Sequence, residues 1–503
     1  MVRLANLYRT QIRLSSTSIL LILLLVAPYS SNLWVSEVGG GTIYVMFTFD
    51  TEDFLTLETN PVLGELVKVL DRHGVKGEFY IVAEKARVLS SKFPWIVEAL
   101  KNHTIGYHQN GHSVHPTIAE YSAREWREAV EMAIKYETRR INIYNGELSP
   151  DEPGGVRVIE EVFGRKPISF RAPGYVWSAP TLYVLRKLGV KVSSVSSSFM
   201  EITGYPLNWY LGIIQIPRAD VYLDGYLTSG DLDGLKRIFR ELCGERMGRG
   251  LIIFGNHPCR LVTETFWDRL NYRYGRNPEN ESNIVLPPLY REETIELALE
   301  TLDKFLDYVL AHQNVRVITS SEILEEVNKL RDHKALTSKE LYDVAVKMLK
   351  GWSISPPSYI KLKDDRFLSL AESFIALSTA LNTYFDEGTL PNQIDLSAPW
   401  ISKVIGPTDL TKNPSSILID FEDVKMLIRE AVKSIRMRLE IPSAINVGNI
   451  TIGPADLLHL MARILKGIVM GEDVNRRWLI IDYDEIPRSV SYTHLTLPTT
   501  ERV

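Results

Sequence analysis

Hydrophobic positions along the chain switch repeatedly between two periods. Residues 42–48 (TIYVMFT) are almost continuously apolar and rich in β-formers, the pattern of a parallel strand covered on both faces. Residues 61–73 then place Val62, Leu63, Leu66, Val67 and Leu70 at helical spacing, and Gly74 ends the run. Residues 76–82 (KGEFYIV) predict the next strand. The same rhythm predicts helices over 93–101, 122–142, 180–188, 292–312 and 320–330, and strands over 104–107, 168–171, 191–195, 251–255 and 315–319. Ser178 suits the N-cap of the 180–188 helix and Gly189 suits its stop. Strands and helices alternating over this length predict a parallel α/β fold, a (β/α) barrel in particular.

Beyond Arg331 the alternation stops, and the pattern is mainly helical to about Gly471. Amphipathic helices are predicted over 367–384 and 424–439. A weak repeat accompanies them: Ile405–Gly406–Pro407–Thr408–Asp409–Leu410 resembles Ile452–Gly453–Pro454–Ala455–Asp456–Leu457, and Leu390–Pro391–Asn392 resembles Ile441–Pro442–Ser443. A spacing of about 47–51 residues predicts a duplicated helical unit. The chain thus divides into a leader or extension (1–41), an α/β domain (42–332), a helical domain (333–485) and a tail (486–503), whose last residues have no helical period and are candidates for non-native sequence.

Composition changes this picture little. The chain has 503 residues, 45% hydrophobic and 24% charged, which is ordinary for globular protein. A formal net charge of -5 supplies no basic field for a nucleic-acid backbone, so nucleic acid is not an expected partner. The two cysteines, Cys243 and Cys259, fit one bridge outside the cell or two free thiols inside it. The N-terminus says more. Arg3, Arg9 and Arg13 precede a short apolar run, 19–27, and then small and polar residues, 28–32. That order is a secretory signal peptide's, and the run is too short to predict a transmembrane span. The expected location is extracellular or cell-surface, or cytoplasmic if the start codon is over-extended and the protein begins near Gly41.

Four places could carry chemistry, and all lie where predicted strands end. Residues 48–53 (TFDTED) put three carboxylates at the mouth of the first strand. Asp50 and Glu52, two apart, can share a face, one to ligate a metal and the other to act as general base. The alternative is a turn or helix start carrying acids near a positive dipole end. Residues 105–116 (IGYHQNGHSVHP) hold His108, His112 and His115, three of the ten histidines. His108 and His112, four apart, would share one side of a helical turn and suit zinc; His112 and His115 are a tighter alternative pair. Arg171, in 170–175 (FRAPGY), can hold a carboxylate bidentately. His257, before Pro258, can serve as general acid. In a parallel barrel, active sites form where strands end.

These motifs, in this order over about residues 42–330, resemble the polysaccharide deacetylase family of chitin, chitooligosaccharide and peptidoglycan deacetylases. The resemblance implies a distorted (β/α) barrel that removes N-acetyl groups from a glycan, acting on a carbon–nitrogen bond. It implies Asp50 as catalytic base. Thr51 stands where the family has a metal-binding Asp, so Glu52 is the implied ligand, with Asp53 as fallback. His108 and His112 complete the implied set for a divalent metal, zinc foremost, although the Ser here follows His112 and the His–Pro pair is His115–Pro116. Arg171 would orient the base, the Tyr175 backbone N–H would bind the oxyanion, and His257 would protonate the leaving amine. The helical region resembles, more weakly, the pseudomurein-binding repeat, which implies cell-wall attachment. Two other readings stand beside this one: a metal-independent amidase of the same superfamily, and a non-catalytic carbohydrate-binding protein.

Overall fold

The computed structural model describes residues 42–480, apart from 117, 195–207, 211–212, 247–249, 273–279, 332–334, 353–355, 358, 364–366, 399, 402–403 and 405–416. The signal-peptide-like segment, the tail and the repeat block 405–410 lie outside the described residues.

Among the described residues ten strands form one sheet: β1 (Ile43–Thr51), β2 (Glu78–Ile81), β3 (Thr104–Tyr107), β4 (Ser169–Phe170), β5 (Val192–Ser194), β6 (Asn208–Tyr210), β7 (Ile213–Ile216), β8 (Val221–Tyr222), β9 (Gly250–Asn256) and β10 (Val315–Val317). Their order is β8–β9–β1–β2–β3–β4–β5–β7–β6, with β10 also on β1. Every pair is parallel except the β6–β7 edge. The sheet curls into an incomplete barrel surrounded by helices, the α/β architecture that the alternating pattern predicts.

β1 is its axis. Ile43–Phe49 pair with β9 along one side; on the other, Ile43–Val45 pair with β10 and Thr48–Thr51 with β2. Neighbours on both flanks, with side chains buried on both faces, account for the apolar run of its sequence. Phe47, Phe254, Phe239 and Phe305 pack together on one face, joining β1 and β9 to the helices Leu232–Glu245 and Glu292–Leu310. Ser178 caps the helix Ala179–Leu188 by accepting from Thr181 N, and Gly189 ends it at φ 114°.

The predicted helix over 122–142 is shorter. Extended backbone at Glu125 starts it at Trp126, and it ends at Thr138; Arg139–Ile141 then pairs as a strand with Leu148–Pro153. The helices Ala83–Lys92, Gly155–Phe163 and Leu232–Glu245 are additions to the sequence reading.

After the barrel, the chain builds one unit twice. A strand (Ala335–Thr337), a helix (Ser338–Lys350), a two-stranded hairpin, a helix (Leu370–Glu387) and a strand (Gln393–Asp395) form the first, its end strands paired antiparallel. Ile417–Ile419, Phe421–Arg438, a hairpin, Pro454–Val469 and Trp478–Ile480 form the second in the same way. The first helix of each packs on the second helix of the other, which closes a separate hydrophobic core. The two units share one order of elements, in a different frame from the repeat read in the sequence. Leu390–Pro391–Asn392 follows a second helix, whereas Ile441–Pro442–Ser443 follows a first helix, so the two are not equivalent. Among the described residues no helix is long and apolar enough to cross a membrane, and both cysteines are free thiols.

Candidate active site

Parallel strands direct their C-terminal ends to one side of a barrel, and the candidate residues gather there. Asp50 is the next-to-last residue of β1; His108, Arg171 and His257 directly follow β3, β4 and β9. The ladder continues into two of them: His108 N–H donates to Ile81 O, and Arg171 N–H to Tyr107 O.

Arg171 is fully enclosed and fully engaged. It donates to Asp50 Oδ1 at 2.8 Å, to Thr48 Oγ1 at 3.0 Å and to Ser194 Oγ at 3.1 Å. Its guanidinium lies 4.3 Å from the Tyr80 ring centroid. Burial alone would raise the Asp50 pKa, but the positive charges of Arg171, His108 and His257 together outweigh it and hold the carboxyl below its usual value. Removing either member of such a pair strands the other's charge, at a cost of about 3–5 kcal/mol.

Glu52, His108 and His112 meet beside Asp50, with three donor atoms within 4.8 Å of one another. His112 Nε2 lies 2.9 Å and His108 Nε2 3.5 Å from Glu52 Oε2. Burial opposes the Glu52 charge, but the two imidazoles prevail and hold its pKa well below the ordinary range. The helical turn expected from the spacing is absent. The histidines sit on an irregular loop with left-handed backbone at Gln109 (φ 62°) and His112 (φ 54°), and that path, not helical periodicity, brings the rings to 5.3 Å.

The donor chemistry fits a divalent cation. His108 Nδ1 donates to Arg171 O at 2.7 Å, and His112 Nδ1 to Ser113 Oγ at 2.9 Å, which in turn donates to Asp268 Oδ2 at 3.1 Å. With Nδ1 committed to a protein acceptor, each imidazole in its neutral form would present Nε2 to a cation held beside Glu52. The fallback ligands stand apart. Asp53 Oδ1 accepts from Leu55 N and Thr56 N, the turn role left open as the alternative for these acids. His115 Nδ1 turns to Pro116 O at 2.9 Å, and burial pushes its pKa down to about 4.

His257 also faces Asp50, Nε2 to Oδ2 3.7 Å. Its Nδ1 lies 2.6 Å from Asp224 Oδ2, and Asp224 Oδ1 accepts from His257 N and Asn256 Nδ2. Burial would lower the imidazole's pKa; Asp224, with Glu52 and Asp50 behind it, pushes it up to about 9. Asp224 and Tyr222 are site residues that pattern reading missed. Tyr222 ends β8, which at two residues is too short to show a strand period, and Asp224 opens the helix Asp224–Ser229 that follows. The paired acids of Asp220–Asp224 are the one signal the sequence offers there.

Tyr175 also departs from expectation. Its backbone N–H, the implied oxyanion donor, already donates to Ala172 O at 2.9 Å in a tight turn with φ 56° at Tyr175. It is the hydroxyl that reaches the site, 2.8 Å from the Tyr222 hydroxyl.

No protein-family model matches the sequence, and no curated protein matches it. Solved structures with a similar chain path include a probable polysaccharide deacetylase from Pseudomonas aeruginosa PAO1, at 13% identity and a TM-score of 0.36, over 58% of this chain and 92% of that one. A family 4 carbohydrate esterase from Streptomyces lividans aligns at 14% identity and a TM-score of 0.28, over 55% and 92%. An allantoinase aligns at 13% identity and 0.35, over 57% and 90%. At such scores the side chains, not the likeness, carry the chemistry.

Proposed function

We propose that the barrel hydrolyses an N-acetyl group of a glycan, releasing acetate and a free amino sugar. The observation that supports this most is the opposition of Asp50 Oδ2 and His257 Nε2 across 3.7 Å, beside the Glu52–His108–His112 cluster. A base and an acid beside a candidate metal centre is what amide hydrolysis needs.

Each residue's part follows from its contacts. Asp50 Oδ1 is held by Arg171, which leaves Oδ2 to take the proton of the attacking water. His257, kept protonated through neutral pH by Asp224, gives its Nε2 proton to the departing amine. Glu52, His108 and His112 would hold a divalent cation, zinc foremost, whose Lewis acidity toward the acetyl oxygen and water is the chemistry it supplies. Export through the N-terminal segment, and cell-wall attachment through the duplicated helical units, belong to the same reading.

Acetate release from a panel of N-acetylated glycans tests it. Asp50→Asn is expected to abolish release while leaving glycan binding within about threefold, since the base acts on the chemical step. Wild-type protein inert on every glycan, or Asp50→Asn as active as wild type, rejects the proposal. One observation favours a second reading, a metal-independent amidase: His112 and Glu52, 2.9 Å apart, already form an ion pair. Full activity in chelator, with no stoichiometric metal in the protein, would select that reading.

A further inference from the structure

Tyr222 lies at the centre of the acid–base pair without belonging to either half. Its ring stacks on the His257 imidazole, centroids 4.7 Å apart and planes 14° from parallel. Its hydroxyl donates to Asp50 Oδ2 at 3.2 Å. Tyr175 Oη is 2.8 Å away and itself accepts from Ala219 N–H at 3.0 Å.

The direction of this chain is determined at both ends. A backbone amide can only donate and an ionised carboxylate can only accept. Each phenol has one proton, so Tyr175 donates to Tyr222 and Tyr222 to Asp50. The barrel makes room for the arrangement at Gly255, where β9 carries no side chain. A Cβ there would stand 2.7 Å from the Tyr222 ring and 2.9 Å from Ala219 Cβ. Asp50 is thereby gripped at both oxygens, by Arg171 on Oδ1 and Tyr222 on Oδ2. The carboxylate cannot turn without breaking one of the two contacts.

We propose that Tyr222, supported by Tyr175, is a positioning residue that locks the Asp50 carboxylate and the His257 imidazole in register with each other. The proposal deepens the deacetylase reading and rests on it. Its hydroxyl orients the base and its ring orients the acid. Both act on the chemical step and not on substrate capture. A misplacement of the reacting groups by about an ångström is enough to slow such a step about 100-fold.

The test is steady-state acetate release by the full chain. Tyr222→Phe, which keeps the ring and removes the hydroxyl, is expected to lower kcat about 10- to 100-fold with KM within about twofold and metal content unchanged. Tyr175→Phe is expected to lower kcat in the same direction by less. Wild-type kcat in Tyr222→Phe overturns the proposal, as does a loss confined to KM. Should Tyr222→Phe not fold, Tyr175→Phe decides alone on the same criterion. If wild-type protein releases no acetate from any glycan, the deacetylase reading fails by itself. Tyr222 is then judged by the nitrogen resonances of the His257 imidazole. A displaced His257 spectrum in Tyr222→Phe supports the link, and a spectrum superimposable on wild type overturns it.

Discussion

At the residue scale, the histidine loop is decided by where the Nε2 of each ring lies. His108 and His112 each commit Nδ1 to a protein acceptor and turn Nε2 to Glu52, while His115 commits Nδ1 to Pro116 O and takes no part in the cluster. His112→Ala is therefore expected to lose at least 10-fold in metal affinity, and His115→Ala to bind as wild type does. Metal content after dialysis against a defined free concentration checks both. A metal-binding His115→Ala beside a metal-free His112→Ala is the expected pair of results; the reverse would move the centre. Spacing in the sequence could not make this choice, because His112 belongs to either pair.

At the element scale, one buried contact ties the strand that carries His108 to a helix behind it. Tyr107, the last residue of β3, donates to Glu137 Oε2 at 2.7 Å, near the end of the helix Trp126–Thr138. Gly155 permits the approach: at φ 48°, a Cβ there would fall 2.6 Å from the Tyr107 hydroxyl. Burial pushes the Glu137 pKa up to about 7, above its ordinary value near 4.5. A folded-state pKa above the unfolded one means the folded protein binds the proton more tightly. The resulting stability is present below about pH 4.5 and is lost as pH rises through about 7. Glu137→Gln keeps an acceptor for Tyr107 without a charge. It is expected to be more stable than wild type at pH 8 by roughly 2–3 kcal/mol, and no more stable at pH 4. Thermal midpoints at the two pH values test this; an equal shift at both would rule out the buried charge as its cause.

At the scale of the whole molecule, the barrel and the duplicated units bury separate sets of apolar side chains. Phe47, Phe254 and Phe305 belong to the first core, and Phe374, Leu427 and Met461 to the second. Every residue of the candidate site belongs to the barrel. A protein of residues 42–332 is accordingly expected to fold and to release acetate at a rate within about threefold of the full chain on a small soluble substrate. Loss of the near-ultraviolet circular dichroism signal in that fragment would show instead that the barrel needs the helical units to fold.

Much of the fold was legible because its signals are local. The apolar run of β1, the cap at Ser178 and the stop at Gly189 each depend on neighbours in sequence. So did the order of Asp50, His108, Arg171 and His257, since each lies at a strand's end and parallel strands present their ends on one side. What lay beyond the sequence depends on where the chain travels between strands. A left-handed loop selected His108 and His112 over His115; a turn engaged the Asp53 carboxylate and the Tyr175 N–H. The two-residue strand β8 and the helix start after it delivered Tyr222 and Asp224 to groups far off in sequence, Asp50 and His257. Periodicity reports which face of an element is covered, and so the sequence by itself determined the barrel and the end of it that holds the site. Which atoms meet there is a matter of distances between separate elements, and only the tertiary structure decided it.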